Sequence, residues 1–251
     1  EKYPKYFSKI SKQTKNKLLK FRDSFNDKSV LEIKKIEKTT NHDVKAVEYY
    51  IKNFFLKDNV LSKYTHLIHF GLTSEDVNSL SYAIMIKDGM KVYENDIKIL
   101  NKNLKKLSSK WLNTPILSRT HGQPASPTTI GKEIKVFYTR IHREIYKLQS
   151  IVPLAKFSGA VGNYHAFDIA ESRVNWPLFT RKFIKTFNVE QNPVTTQIEP
   201  HDWIAELLQI ITRTNNICID LSQDMWIYIS NEIFKLKLNK NEVGSSTLPH
   251  K

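Results

Sequence analysis

The chain has 251 residues, of which 40% are hydrophobic and 25% are charged, and these fractions exclude a disordered tail, a collagen and a low-complexity filament. The single cysteine, Cys218, excludes an intrachain disulfide framework and a cysteine zinc site. The net charge of +14 comes mainly from dispersed lysines rather than from arginines. Solvated helix faces therefore explain the charge better than a nucleic-acid site does.

The sequence also predicts no contact with a membrane. It contains no run of about 18 apolar residues that would form a spanning helix. The first twenty residues lack the apolar run of a secretory signal. We therefore expect a cytoplasmic protein without a membrane partner.

Glycine and proline are few and bunched along the chain. None occurs between Lys5 and Phe70, and none between His201 and Val243. Helices exclude both residues from their interiors, whereas strand-rich folds need them every few residues as punctuation. The distribution predicts an all-α protein built from long helices.

Three helix starts can be placed. Thr73 is a predicted N-cap, with Asp76 as the acidic residue three positions later. Ser126 followed by Pro127 predicts the second start. Pro200 opens the third and longest helix, of about 35 residues or about 50 Å, which favours a bundle completed by other subunits. Apolar residues at helical spacing predict the buried faces of the last two helices: Ile130, Ile134, Phe137, Ile141, Ile145 and Leu148, then Trp203, Ile204, Leu207, Leu208 and Ile211.

Two loops before these helices carry chemical groups. In the first, His121 can exchange a proton near neutral pH, Thr120 offers a hydroxyl, and Gly122 permits a close backbone approach to a ligand. A histidine that only hydrogen-bonds within its loop is the alternative. In the second, Gln197 adds a neutral amide beside a helix N-terminus that favours an anion, and ordinary helix-start chemistry is the alternative.

Further polar segments are weaker signals by themselves. The final eight residues, GSSTLPHK, combine the hydroxyls of Ser245 and Ser246 with the charge of Lys251, and a mobile linker is the alternative. Thr73 and Ser74 are explained by helix capping alone. The segment Asn41, His42 and Asp43 reads as a polar step within a helical stretch. His66 and His69 are spaced like metal ligands, but no third ligand completes a motif, so no metal is predicted.

Taken together, these segments resemble a known family. GSSTLPHK is similar to the signature of the fumarase/aspartase superfamily, with Leu248 at a position that is usually Met. In combination with SRTHGQPA, TTQIEPHD, HFGLTSEDVN and TNHDVKAVEY, it resembles the bacterial-type branch of the adenylosuccinate lyase family. The resemblance runs in order from about residue 39 to residue 251.

The resemblance implies a fold and an assembly. It implies a long-helix bundle of the fumarase/aspartase type, completed by homotetramerisation, with each active site shared between subunits. Residues 1–72 would be an incomplete N-terminal helical domain. Residues 73–251 would be an incomplete central bundle domain that ends in the signature loop, and the C-terminal helical domain would be absent from this chain.

The resemblance further implies β-elimination of fumarate from adenylosuccinate, to give AMP, and from SAICAR, to give AICAR, without a cofactor. The small-molecule nucleotide would be the only ligand, with no nucleic acid. Ser245 would be the base on a loop that closes over the substrate, and His121 would be the general acid. The succinyl carboxylates would be held by Thr120, Gln197, Ser246 and Lys251, and the nucleotide part by Asn41, His42, Asp43, Thr73 and Ser74.

Three rival interpretations remain at the sequence level. Another fumarate-releasing lyase of the superfamily would share the GSS loop but not TTQIEPHD beside THGQPA. A catalytically inactive structural relative would have lost His121 or Ser245, yet both are present. A basic helical nucleic-acid binder would interleave arginine and aromatic residues on one face, whereas the lysines here are dispersed.

Overall fold

A computed structural model of the chain describes residues 11–237 and residue 247. The described part is mostly helical, which confirms the predicted all-α class. Its α-helices are α1 (Lys12–Asp23), α2 (Asp27–Thr40), α3 (Asp43–Phe55), α4 (Ser74–Lys110), α5 (Ile130–Ser150), α6 (His165–Ala170), α7 (Trp176–Lys185) and α8 (Asp202–Ser230), with a 3-10 helix at Leu61–Leu67. Four short strands accompany them: β1 (Pro115–Thr120), β2 (Gln123–Thr129), β3 (Leu154–Ala155) and β4 (Glu190–Gln191).

The glycine-free N-terminal stretch is divided into short helices by asparagine. Asn26 caps α2, and its side chain accepts hydrogen bonds from the backbone of Lys28 and Ser29. Asn41 ends α2 in the left-handed conformation, with φ of 49°, and His42 then caps α3. Residues 41 and 42 therefore interrupt the predicted helical stretch, which resumes at Asp43, because Asn tolerates the left-handed region and its side chain competes for backbone groups.

Helix α4 is the longest described helix, with 37 residues, whereas α8 has 29. The prediction that Pro200 opens the longest helix is therefore wrong. The predicted start of α4 is confirmed: the backbone N–H of Thr73 donates to Asp76 Oδ2 at 2.9 Å. Gly89 lies inside α4 without ending it, because one helical glycine costs only about 1 kcal/mol and its neighbours are good helix formers.

Helix α5 begins later than predicted. Ser126 and Pro127 lie in β2, which pairs antiparallel with β1, and Thr129 caps the helix by accepting from the backbone of Lys132. Ser126 and Pro127, which the sequence alone assigns to a helix start, are therefore part of the strand pairing instead. The predicted apolar face of α5 is confirmed, since all six of its residues are buried: Ile130, Ile134, Phe137, Ile141, Ile145 and Leu148.

The buried face of α8 is only partly as predicted. Trp203 and Leu207 are buried as expected, and the face continues through Ile210, Thr214 and Ile217. Of the other predicted members, Leu208 is 56% exposed, and Ile204 and Ile211 are half-buried. The alternation of three and four residues from Trp203 to Ile217 sets the stripe, and the adjacent apolar residues lie at its edges or outside it.

The described residues group into two compact units. Within the described residues, the first unit comprises residues 11–86 together with Pro153–Pro200, and the second comprises Lys87–Val152 together with residues 201–237. The first contains an aromatic cluster in which Phe167, Val174 and Trp176 are buried. The core of the second joins α4, α5 and α8 through residues such as Leu104, Phe137 and Ile217. The domain division after residue 72 stays a prediction.

None of the described helices combines the length and the apolar character that crossing a membrane would require.

Two glycines make a paired test of backbone approach. Gly162 has φ of 81°, and a Cβ placed on it would lie 1.9 Å from the carbonyl oxygen of Thr195. Gly162→Ala should therefore lower the free energy of unfolding by about 2 kcal/mol or more. Gly89→Ala has open space around its Cβ and should raise it by up to about 1 kcal/mol. Urea unfolding of both variants checks this, and equal effects would contradict the described packing.

Candidate active site

Within the first unit, the start of α4 lies next to the start of α3. The hydroxyl of Ser74 is 3.3 Å from His42 Nε2. The other ring nitrogen of His42, Nδ1, accepts from the backbone N–H of Lys45 at 3.3 Å, which makes the imidazole the N-cap of α3. His42 and Ser74 are 32 positions apart in the sequence, and the fold brings them to one polar surface.

Asp43 extends this surface. Its Oδ2 accepts from the side-chain amide of Asn78 on α4 at 3.3 Å, and its Oδ1 lies 3.3 Å from His42 Nδ1. The backbone N–H of Val44 holds the pKa of the Asp43 carboxyl below its usual value, and Asn78 and His42 add to this effect. Asp43 is therefore ionised at neutral pH, on a surface that otherwise presents amides, a hydroxyl and an imidazole. Asn41, which precedes His42, is exposed.

The loop before α8 approaches the same helix start. Gln197 donates its side-chain amide to Thr73 Oγ1 at 3.4 Å across 124 positions of sequence. Two residues earlier, the hydroxyl of Thr195 lies 3.4 Å from that of Ser158. Gln197 and Thr73 together offer an amide and a hydroxyl beside a helix N-terminus, where anions are favoured.

The sequence analysis misses a buried polar cluster just below Thr73. Lys156 Nζ donates to Asp76 Oδ1 at 2.6 Å, and both side chains are fully buried. The backbone N–H groups of Ser158 and Gly159 donate to the same carboxylate. The signal in the sequence is a lysine within the apolar run Leu154–Phe157, followed directly by Ser-Gly. Because the two charges are 80 positions apart, no local pattern predicts their contact.

Thr120 and His121 lie in the second unit, at the tip of the β1–β2 hairpin. His121 and Gly122 form its two-residue turn, with φ of 50° and 77°, and Thr120 pairs with Gln123 across it. Positive φ at both central positions is the signature of a type I′ turn. The geometry of the turn alone therefore explains the glycine at position 122, without any close approach of a ligand to its backbone. The ring of His121 is exposed and has no hydrogen-bond partner among the described residues.

A cavity of about 410 Å³ lies beside this hairpin, between β1 and the last turns of α8. Ser118 and Arg119 line it from the hairpin, and Asp224 and Tyr228 line it from α8. Burial raises the pKa of Asp224 above its usual value, and the carboxylate of Glu133 adds to this. Burial also raises the pKa of Tyr228 to about 12, with a further contribution from Glu133.

The structure thus places six of the predicted residues in the first unit, where His42 meets Ser74 and Gln197 meets Thr73. Thr120 and His121 lie in the second unit. Ser245, Ser246 and Lys251 fall outside the described residues, so their predicted roles stay predictions. No group of three or more histidine, cysteine or acidic side chains is placed to hold a metal within residues 11–237.

Comparison with known proteins identifies the family. Residues 3–251 match the family described as Lyase. The chain belongs to this lyase family. Among curated members named adenylosuccinate lyase, it is 45% identical over 231 residues to that of Buchnera aphidicola subsp. Schizaphis graminum, 47% over 229 residues to that of Legionella pneumophila (strain Corby) and 45% over 229 residues to that of Escherichia coli (strain K12). Each alignment covers 91% of this chain and 50% of the relative, so the chain spans about half the length of the curated relatives it matches.

Two solved structures share the fold. A fumarate lyase from Mesorhizobium sp. BNC1 superimposes with a TM-score of 0.73 at 19% identity, over 89% of this chain and 50% of that one. A 3-carboxy-cis,cis-muconate lactonizing enzyme from Pseudomonas putida gives 0.69 at 17% identity, over 84% and 46%. At these identities the likeness shows the fold of the lyase family, which agrees with the helical bundle predicted from the sequence.

The raised pKa of Tyr228 predicts that the free energy of unfolding depends on pH in the alkaline range. An ordinary tyrosine has a pKa of about 10, so the unfolded chain loses this proton before the folded protein does. The neutral phenol therefore stabilises the fold below about pH 10, and this contribution is lost as the pH rises towards about 12. Tyr228→Phe should reduce the loss of unfolding free energy between about pH 9 and about pH 11, as measured by urea unfolding.

Tyr146→Phe is the matched control, since Tyr146 is 63% exposed. It should show the same pH dependence as the unsubstituted protein. An unchanged pH dependence in Tyr228→Phe would contradict the described environment of the phenol.

Proposed function

We propose that the full-length protein is an adenylosuccinate lyase, which releases fumarate from adenylosuccinate to give AMP and from SAICAR to give AICAR in purine nucleotide biosynthesis. The observation that carries this proposal is the identity of 45–47% to curated proteins of that name across 91% of the chain. The juxtaposition of His42 with Ser74 and of Gln197 with Thr73 supports it, because the resemblance assigns these residues to one substrate.

The reaction needs two proton transfers and a site for developing charge. A base removes the proton from the succinyl carbon next to a carboxylate, and the electron pair collects on that carboxylate as an aci-carboxylate. The bond between carbon and the purine nitrogen then breaks, a carbon–carbon double bond forms, and an acid returns a proton to the nitrogen. Donors placed around the aci-carboxylate lower this barrier because they are already oriented when the charge develops.

The residues divide these roles. Ser245 is the base, and its hydroxyl needs a closed, water-excluding loop with nearby positive charge, which Lys251 supplies in part. His121 is the acid, and its exposed position on a two-residue turn suits a group that must reach a ligand. Thr120, Gln197 and Ser246 join Lys251 in holding the succinyl carboxylates.

The nucleotide part falls to the polar surface at the starts of α3 and α4. His42 and Asp43 offer an imidazole and an ionised carboxylate, and Ser74 offers a hydroxyl. The ribose and base of a nucleotide carry both donors and acceptors, so a mixed surface of this kind suits them. Asn41 and Thr73 complete the set.

We propose further that the protein acts in the cytoplasm as a homotetramer whose active sites combine segments of several chains, and without a cofactor. Helix α4 supports the assembly, because Met85, Val92 and Ile99 recur at steps of seven and are 58%, 65% and 52% exposed. Apolar residues at this spacing form the seam of a helix bundle.

The direct test is an assay of the full-length protein with adenylosuccinate, following the absorbance change as AMP and fumarate appear. Turnover without added metal or nucleotide cofactor is the expected result. A folded protein that leaves adenylosuccinate unchanged while it releases fumarate from another succinylated substrate would contradict the substrate assignment.

Two substitutions test the catalytic roles. His121→Ala and Ser245→Ala should each lower kcat by at least about 100-fold, because each removes a proton-transfer group. Substrate binding, measured by calorimetry on the inactive variants, should persist. His165→Ala, at an exposed histidine outside the predicted site, is the control and should retain full turnover. Near-normal kcat in either active-site variant would disprove that role.

A further inference from the structure

A buried ion pair lies beneath the proposed substrate surface of the first unit. Lys156 and Asp76 are both fully buried, with 2.6 Å between Nζ and Oδ1. Lys156 Nζ also donates to the carbonyl oxygen of Gly159 at 2.9 Å. Burying two charges costs several kcal/mol per ion before their attraction is counted, and apolar residues of similar volume often stabilise a protein as well or better. Stability alone is therefore a weak reason for this pair.

The Asp76 carboxylate connects two segments of backbone. Its Oδ2 accepts from the N–H of Thr73 at 2.9 Å and from that of Gly159 at 3.1 Å. Its Oδ1 accepts from the N–H of Ser158 at 2.9 Å as well as from Lys156. One carboxylate thus sets the position of the α4 start relative to the 158–159 turn.

Close backbone approaches bring further segments to this cluster, including the loop before α8 that contains Thr195 and Gln197. A Cβ on Gly159 would lie 3.3 Å from the carbonyl oxygen of Gly71, and one on Gly162 would lie 1.9 Å from that of Thr195. Gln197, two residues beyond Thr195, donates to Thr73 Oγ1. Thr73 therefore connects the proposed substrate surface to the buried carboxylate. Its backbone N–H donates to Asp76, and its hydroxyl oxygen accepts from Gln197.

Lys156 offsets the negative charge that Asp76 places close to the proposed substrate surface. Adenylosuccinate carries two succinyl carboxylates and a phosphate, so a negative charge buried under its binding surface would repel it, and the repulsion is poorly screened where water is excluded. The ammonium in direct contact with Asp76 cancels that charge. Asp76 can then organise the backbone of Thr73, Ser158 and Gly159 without opposing the anion.

We propose that Lys156 is a positioning residue of the lyase site, which neutralises Asp76 so that the surface formed by Thr73 and Gln197 can accept an anionic substrate. This inference rests on the proposed function. It assigns to Lys156 an effect on substrate affinity rather than on the proton transfers. Loss of its charge should raise KM and leave kcat nearly unchanged.

Three variants of the full-length protein test the proposal. Lys156→Gln removes the charge but keeps a hydrogen-bond donor, and it should raise KM for adenylosuccinate by about tenfold or more with kcat within about threefold. Lys156→Arg keeps a positive charge for the contact with Asp76, and its KM should stay within about threefold of the unsubstituted value. Ile184→Ala is the control for general destabilisation, since Ile184 is fully buried on α7 of the same unit. It should lower Tm without changing KM.

The outcomes separate the possible explanations. An unchanged KM in Lys156→Gln, or a KM in Lys156→Arg raised as much as in Lys156→Gln, would overturn the electrostatic role. If Lys156→Gln does not accumulate as folded protein, Lys156→Arg decides alone: a KM near the unsubstituted value supports the proposal, and one raised by about tenfold overturns it.

A failure of the proposed function would be seen separately, as absence of turnover by the unsubstituted protein. In that case, equilibrium binding of succinate is compared between the unsubstituted protein and the two Lys156 variants. The same order of affinities would support the inference, and equal affinities would overturn it.

Discussion

The carboxylate of Asp76 is the interaction on which the described part of the site depends. It is the third residue of α4, and it holds the N–H of Thr73 while receiving Lys156 and two backbone N–H groups from the 158–159 turn. Because buried polar groups must be paired, each of these partners is constrained to one position. The start of a 37-residue helix is thereby joined to a turn that lies some 80 residues later in the sequence.

Glycine supplies the second constraint. Gly71, Gly159 and Gly162 all have positive φ. A Cβ on Gly162 would collide with the carbonyl oxygen of Thr195, and one on Gly71 would collide with the ring of Phe167, whereas one on Gly159 would be tight, at 3.3 Å from the carbonyl oxygen of Gly71. The segments around Ser158 and Thr195 can approach this closely only because Gly162 lacks a Cβ. The proposed substrate surface presents side chains from helix starts and loops. The buried Asp76–Lys156 pair and the close backbone contacts fix the positions of these segments.

Local patterns predict the elements better than they predict the contacts between them. The apolar face of α5 is read correctly because its period of three and four residues reflects one buried side. The capping of α4 by Asp76 is likewise local, whereas the partnership of that carboxylate with Lys156 is not. The start of α5 is predicted too early because Ser126 and Pro127 fit the local pattern of a helix start. Their place in a strand depends on the pairing of β2 with β1, which no local pattern predicts. The role of His121 is implied by the resemblance and stays a prediction, whereas its turn conformation follows from the strand register.

The proposed function assigns His121, Gln197 and the signature loop to one bound substrate. The most direct measurement is a crystal structure of the full-length protein with AMP and fumarate bound. We expect one fumarate to contact the amide of Gln197 and the imidazole of His121, with the nucleotide against Ser74 and His42. Fumarate bound away from His121, or a nucleotide held by neither Ser74 nor His42, would contradict the account.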